Sequence, residues 1–203
     1  MEIDQITALL RPFAEVSHQQ MADSLTYINL LTKWNSRINL TAVRSPQEIV
    51  TRHFGESFFA AQILLTSDYT GSIVDLGSGA GFPGVPVAMF APHAKVTLIE
   101  SNGKKAAFLN EVIRTLHLKN VRVFAHRAEE YPQTSRLVVM RAVESFEASL
   151  MLASDLVESG GRLGVMIGKE RATQAKSLLR AWQWQEPIAV PQSLERVLLV
   201  GTR

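Results

Sequence analysis

A chain of 203 residues, 46% hydrophobic and 20% charged, can bury one sizeable core but is short for two full domains. It has no cysteine, which excludes disulfides, thiolate metal sites and every mechanism through a cysteine nucleophile, C5 methylation of pyrimidines among them. The formal net charge is +2, no apolar run spans a membrane, and the start MEIDQITALL lacks the positive charge of a secretory signal, so a cytoplasmic protein is expected.

In chain order, Ser17 and Gln20 form a capping-box signature, and Met21, Leu25, Ile28, Leu31 and Trp34 then recur at helical spacing. Trp34, on that stripe, reads as core rather than as a base-stacking platform. Ser45-Pro46-Gln47-Glu48 is a second helix start, which the run 49–65 continues. At Ser72 the pattern changes. SIVDLG reads as a short buried strand ending in a glycine loop, with a helix beginning at VPVAMFA. KVTLIE (95–100) is a second strand, KKAAFLNEVIRTLHL a helix, NVRVFAH a third strand and RLVVM a fourth. FEASLMLASDLV reads as a helix, RLGVMIG as a fifth strand and Ala172 to Trp182 as a further helix. EPIAV (186–190) and RVLLVGT (196–202) close the chain. Alternating strands and helices predict a parallel sheet covered on both faces. The last two segments leave no room for a crossover, so they should pair antiparallel. The expected layout is an N-terminal helical extension, residues 1–70, followed by an α/β domain, residues 71–203.

The segment VDLGSGAGFPG (74–84) carries the chemistry. Gly77, Gly79 and Gly81 fit the G-x-G-x-G loop of methyl-donor enzymes, while Gly79, Gly81 and Gly84 fit the G-x-G-x-x-G of dinucleotide enzymes. A loop at the carboxyl end of the first strand lies where open α/β sheets bind nucleotides. Glu100, ending the second strand, suits an adenosine ribose in either case. Asp75 favours an amino-bearing ligand over a pyrophosphate, and Pro83 and Pro86 remove N–H donors that a pyrophosphate would use. With the antiparallel ending, these features favour S-adenosylmethionine. An NAD(P)-dependent oxidoreductase, a small-molecule methyltransferase and an RNA-binding module without turnover stay as alternatives.

Charge is unevenly distributed. Lys33, Arg37, Arg44 and Arg52 face only Glu48 between 33 and 53, and Lys104, Lys105, Arg114, Lys119, Arg122 and Arg127 face only Glu111 between 101 and 127. The two tracts form either one phosphate-binding face or solvated faces balanced elsewhere. The histidines show no metal-ligand spacing, so no metal is expected. No N/D-P-P-aromatic motif for an exocyclic adenine amine is present.

W34-N35-S36-R37-I38-N39-L40-T41, R52-H53-F54-G55-E56-S57, the glycine loop through F82-P83-G84, L98-I99-E100-S101 with K104-K105, R127-A128-E129-E130 and R141-A142-V143 together resemble one family. It is that of the bacterial 16S ribosomal RNA guanine-N7 methyltransferases, also called glucose-inhibited division protein B. The resemblance implies a Rossmann-like seven-stranded methyltransferase fold, with S-adenosylmethionine as cofactor and 7-methylguanine in 16S rRNA as product. The substrate would be that rRNA within the 30S subunit, the enzyme a monomer. Gly77 and Phe82 would line the methionine end of the cofactor, Gly79 would also contact it, Glu100 would hold the ribose, and Ala128 and Glu129 would border the adenine. Arg141 would point into the site, toward the cofactor carboxylate or guanine O6. Asn39, Arg52 and His53 are expected to face RNA, against a packing role for His53 and a turn-capping role for Asn39 and Thr41. No catalytic base is assigned, since guanine N7 carries a free lone pair. The chain departs from the family's usual residues at Glu56, at Met140 and around Gly168-Lys169, so no role is carried to Glu56 or Lys169.

Overall fold

The computed structural model describes residues 1–141 and 145–203. Ala142 and Val143, quoted in the resemblance, lie outside the described residues. Strands β1 (Ser72–Leu76), β2 (Lys95–Ile99), β3 (Val121–Phe124), β4 (Ser135–Arg141), β5 (Val157–Gly168), β6 (Gln183–Trp184), β7 (Ile188–Ala189) and β8 (Arg196–Thr202) build one sheet. Its order is β3-β2-β1-β4-β5-β8-β6, with β7 also on β8. Strands β1 to β5 are parallel to one another, whereas β8 runs antiparallel to β5, β6 and β7. Because β6 and β7 pair with successive parts of β8, they act as two pieces of one seventh strand, at the edge.

The side-chain alternation of a strand explains the layers. Ile73 joins an apolar core on one face with Leu98, Phe108, Leu31 and Phe58, while Val74 joins a second core with Ile99, Leu150 and Val165. The first core is filled by α1 (Ile3–Leu10), α2 (His18–Asn35), α3 (Pro46–Ile49), α4 (Glu56–Leu64), α5 (Gly84–Phe90) and α6 (Gly103–Thr115). The second is covered by α7 (Phe146–Asp155) and α8 (Lys169–Leu178). The N-terminal helices therefore share a core with the sheet. Arg162 of β5 fastens α4 as well, its guanidinium donating to Leu64 O at 2.6 Å.

Ser17 and Gln20 make both capping-box hydrogen bonds at the start of α2. The helix expected over 49–65 contains a π-helical segment, Val50–Gly55, between α3 and α4. A widened turn of this kind often marks a functional site. Gly55 is required here, since a Cβ would meet the Phe13 ring at 2.7 Å. The helix expected to reach Trp182 instead ends at Leu178, and Trp182 and Trp184 stack with centroids 5.9 Å apart. Trp184 Nε1–H donates to Leu179 O, and both rings pack beside Gly201 of β8 rather than prolong the helix. Among the described residues, no helix is long and apolar enough to cross a membrane.

Candidate active site at the glycine loop

Beyond β1 the chain turns through positive φ at Gly77 (67°), Gly79 (56°) and Gly81 (85°), a region that L-residues rarely adopt. Ser78 pins the turn: its N–H donates to Ile99 O at 2.9 Å and its hydroxyl to Asp75 O at 3.0 Å. Asp75 differs from its expected role. It is fully buried beneath the loop, where Oδ2 accepts Gly84 N–H at 3.0 Å, and it forms no part of the cleft wall. Its Oδ1 has no partner, and burial pushes the carboxyl pKa up to about 7. Asp75 thus ties the loop to the start of α5.

The loop is clamped from above by the N-terminal helices. The hydroxyl of buried Tyr27, from α2, donates to Ala80 O, and burial holds this phenol protonated. Phe82 lies between two rings, stacked on Tyr27 at 5.3 Å and on His53 at 4.8 Å. Phe54 meets Tyr27 and Phe82 edge-on. His53 Nε2 is 2.8 Å from Thr41 Oγ1, and its buried Nδ1 has no partner. Burial, and then the charges of Arg141 and Arg52, push the His53 pKa down to about 3, so the imidazole is neutral at pH 7. Thr41 is positioned by Asn35, whose Oδ1 accepts Leu40 N–H and Thr41 N–H.

Loop and clamp wall a cleft of about 670 Å³. On its far side, Glu100 Oε2 accepts Gly79 N–H at 2.9 Å and Oε1 accepts Asn102 N–H at 2.8 Å. The carboxylate is thereby oriented, and each oxygen keeps a lone pair for a hydroxyl. Arg141, at the end of β4, also lines the cleft. Its Nη2 lies 3.1 Å from Glu56 Oε2, while Arg196 Nη2 lies 2.7 Å from Glu56 Oε1. Glu56 is only 1% exposed, so one buried carboxylate orients two guanidiniums. Arg141 Nη1 and Arg196 Nε are buried without a partner. Beside the cleft, a smaller cavity of about 220 Å³ is lined by Arg52, Arg141, Arg171 and Arg196 with Phe146 and Met166.

The structure thus brings Gly77, Gly79, Phe82, Glu100, Arg141, Arg52 and His53 to one cleft. Asn39 is exposed outside its wall, although the adjacent Leu40 and Thr41 line it. Ala128 is buried and Glu129 exposed in a single 3-10 turn, Ala128–Glu130, and neither is in the wall. Sequence reasoning passed over Tyr27, Arg196 and Glu56. The signal for Glu56 is local, a carboxylate among the apolar residues of α4, but its partners lie far along the chain. Asn35 rather than Asn39 caps the turn at 40–41.

A profile of the family described as rRNA small subunit methyltransferase G (GidB) matches residues 20–197. The chain belongs to this family. Ribosomal RNA small subunit methyltransferase G of Stenotrophomonas maltophilia (strain K279a) is 41% identical over 171 residues, covering 82% of this chain and 79% of that protein. Among solved structures, an Aquifex aeolicus SAM dependent methyltransferase aligns with a TM-score of 0.61 at 15% identity, over 78% of this chain and 93% of its own. P. horikoshii TYW2 in complex with MeSAdo also aligns with a TM-score of 0.61 at 15% identity, over 74% of this chain and 62% of its own. The α/β fold is that of the Rossmann-like methyltransferases.

Proposed function

We propose that the protein transfers the methyl group of S-adenosylmethionine to N7 of one guanine in 16S ribosomal RNA. One observation carries the reading within a family of small-subunit rRNA methyltransferases: an oriented acceptor, Glu100, and Arg141, a guanidinium with an orphaned buried donor, line one glycine-walled cleft. This donor set fits an adenosyl amino acid, with ribose hydroxyls on Glu100 and a carboxylate on Arg141. Gly77, Gly79 and Phe82 would border the methionine part, and the turn of Ala128 and Glu129, outside the cleft wall, would border the adenine. No NAD(P) reading is needed, because Pro83 stands where the loop enters α5 and offers no N–H to a pyrophosphate.

The bound cofactor supplies an electrophilic methyl carbon, which the N7 lone pair takes as the carbon–sulfur bond breaks. No proton leaves guanine before attack, so the chain needs no general base, and positioning is its main contribution. Neutral His53, held by Thr41 and stacked on Phe82, adds no further positive charge beside the cationic reactant. Glu56 holds Arg141 and Arg196 in place, and with Arg52 they offer hydrogen-bond donors to guanine O6 or to RNA phosphates. Residues 1–70 act as an RNA-facing extension over the cleft, with Asn39, Arg52 and His53 toward the substrate. The enzyme works as a cytoplasmic monomer on the 30S subunit, where the target is unpaired, because A-form pairing buries N7 in a deep groove.

Incubation with labelled S-adenosylmethionine and small subunits lacking the modification tests this reading. Label in 16S rRNA supports it. Label in a small molecule, or none in protein that binds S-adenosylhomocysteine, contradicts it.

A further inference from the structure

The end of α2 and the start of α6 meet at Trp34. The indole Nε1–H donates to Glu111 Oε2 at 2.8 Å, and the ring stands edge-on to Phe108 with centroids 5.7 Å apart. The chain then turns, with Arg37 N–H and Ile38 N–H both donating to Trp34 O, which keeps Ile38 beside the indole. Opposite them, α6 presents Gly103 and exposed Ala107. These small residues leave a hollow of about 380 Å³, lined by Trp34, Arg37, Ile38, Gly103, Lys104 and Ala107. A Cβ on Gly103 would meet nothing within 4 Å. The floor is aromatic and aliphatic, and the rim is cationic.

The hollow is also where the two basic stretches of the sequence converge. Lys33, Arg37 and Lys104 are exposed around it, while Glu111, the acid of the second stretch, is engaged by the Trp34 indole. Both walls continue into the catalytic cleft. Leu40 and Thr41 follow Ile38 into the cleft wall, and Ser101 and Asn102 precede Gly103 there. Exposed Asn39 lies on the path between the two.

We propose that this hollow is a second RNA subsite: it stacks one unpaired base of the strand that carries the target guanine, with Arg37 and Lys104 on the flanking phosphates. The assignment rests on the RNA methyltransferase reading above. An aromatic floor ringed by cations matches a nucleobase and its phosphates, and base stacking of this kind tolerates any sequence. Trp34 is pre-ordered for it, since Glu111 and Phe108 already fix the indole. A strand held here and in the cleft cannot be fully paired, so the hollow selects an open RNA loop over a duplex.

The test compares wild type with Ala107→Glu, which fills the hollow with a carboxylate, and with the double variant Arg37→Gln, Lys104→Gln. Each is titrated with a 16S rRNA transcript and with assembled small subunits over a range of salt. Ala107→Glu should weaken binding to both about 10-fold, raising KM while leaving kcat at saturating substrate unchanged. The double variant should lower the salt slope of binding by about 2, one for each phosphate contact. S-adenosylhomocysteine affinity and Tm should stay at wild-type values in both. Wild-type RNA affinity and salt slope in variants that bind S-adenosylhomocysteine normally would overturn the proposal. So would weakened binding to assembled subunits alone, which assigns the hollow to a ribosomal protein. If wild type itself binds no RNA and transfers no methyl group, the functional reading fails and this assignment fails with it.

Discussion

Burial gives Asp75 and His53 opposite pH signatures. The Asp75 carboxyl is raised from 3.8 to about 7, so the native state prefers it protonated and loses stability as pH rises between those values. His53 is lowered from 6.5 to about 3, so the native state prefers it neutral and loses stability as pH falls between those values. Asp75→Asn keeps an acceptor for Gly84 N–H and removes the ionisation. Its Tm should exceed that of wild type above pH 7 by an amount that shrinks toward pH 4, as thermal melts across that range would show. Glu56 answers a different question. Replacing it with Gln leaves Arg141 and Arg196 without their counter-charge and should cost about 3 kcal/mol, toward the low end for a broken buried pair because Arg196 remains partly hydrated. Denaturant midpoints would measure it. Gly77, Gly79 and Glu100 were legible in the sequence because a strand, a tight turn and a second strand leave a local trace. Glu56 was not, since its two guanidinium partners come from β4 and β8 and no spacing reveals them.

Among the elements, α2 and the π-helical segment decide how the glycine loop is held. The stripe read from Met21 to Trp34 located the buried side of α2, yet Tyr27 and Ser24 are buried on it too. Their polar atoms hid them from a hydrophobic pattern. Tyr27→Phe should destabilise the fold by about 1–3 kcal/mol, because the buried Ala80 carbonyl loses its donor. It should also weaken S-adenosylhomocysteine binding, measured by titration calorimetry, while Phe82 keeps its ring contact with residue 27. The π-helical turn places Arg52 and His53 in the cleft wall and Phe54 in the core. The sequence contains only a continuous helical pattern there, since a single widened turn changes no periodicity that a window of residues can register. The edge pairing was foreseen for 186–190, whereas the helix was extended to Trp182 and no strand was expected at Gln183 and Trp184, because stacking of Trp182 on Trp184 is a tertiary effect.

For the whole molecule, the N-terminal helices and the sheet bury one another. Ile6, Leu31 and Phe58 occupy the same core as Ile73, Leu98 and Phe108. A chain of residues 71–203 alone should therefore expose that face and fail to unfold cooperatively, and circular dichroism melts of the fragment beside the full chain would check this. The same interlock fixes the cleft, whose walls come from both segments, so ligand binding should be lost with the fragment rather than merely weakened. The central claim is methyl transfer to guanine N7, and borohydride and aniline treatment of the RNA after reaction tests it most directly, because that chemistry breaks the strand at 7-methylguanine. One specific break in 16S rRNA, appearing only with enzyme and S-adenosylmethionine, is the predicted result. Methyl label in the RNA with no break would place the group on another atom and contradict the account.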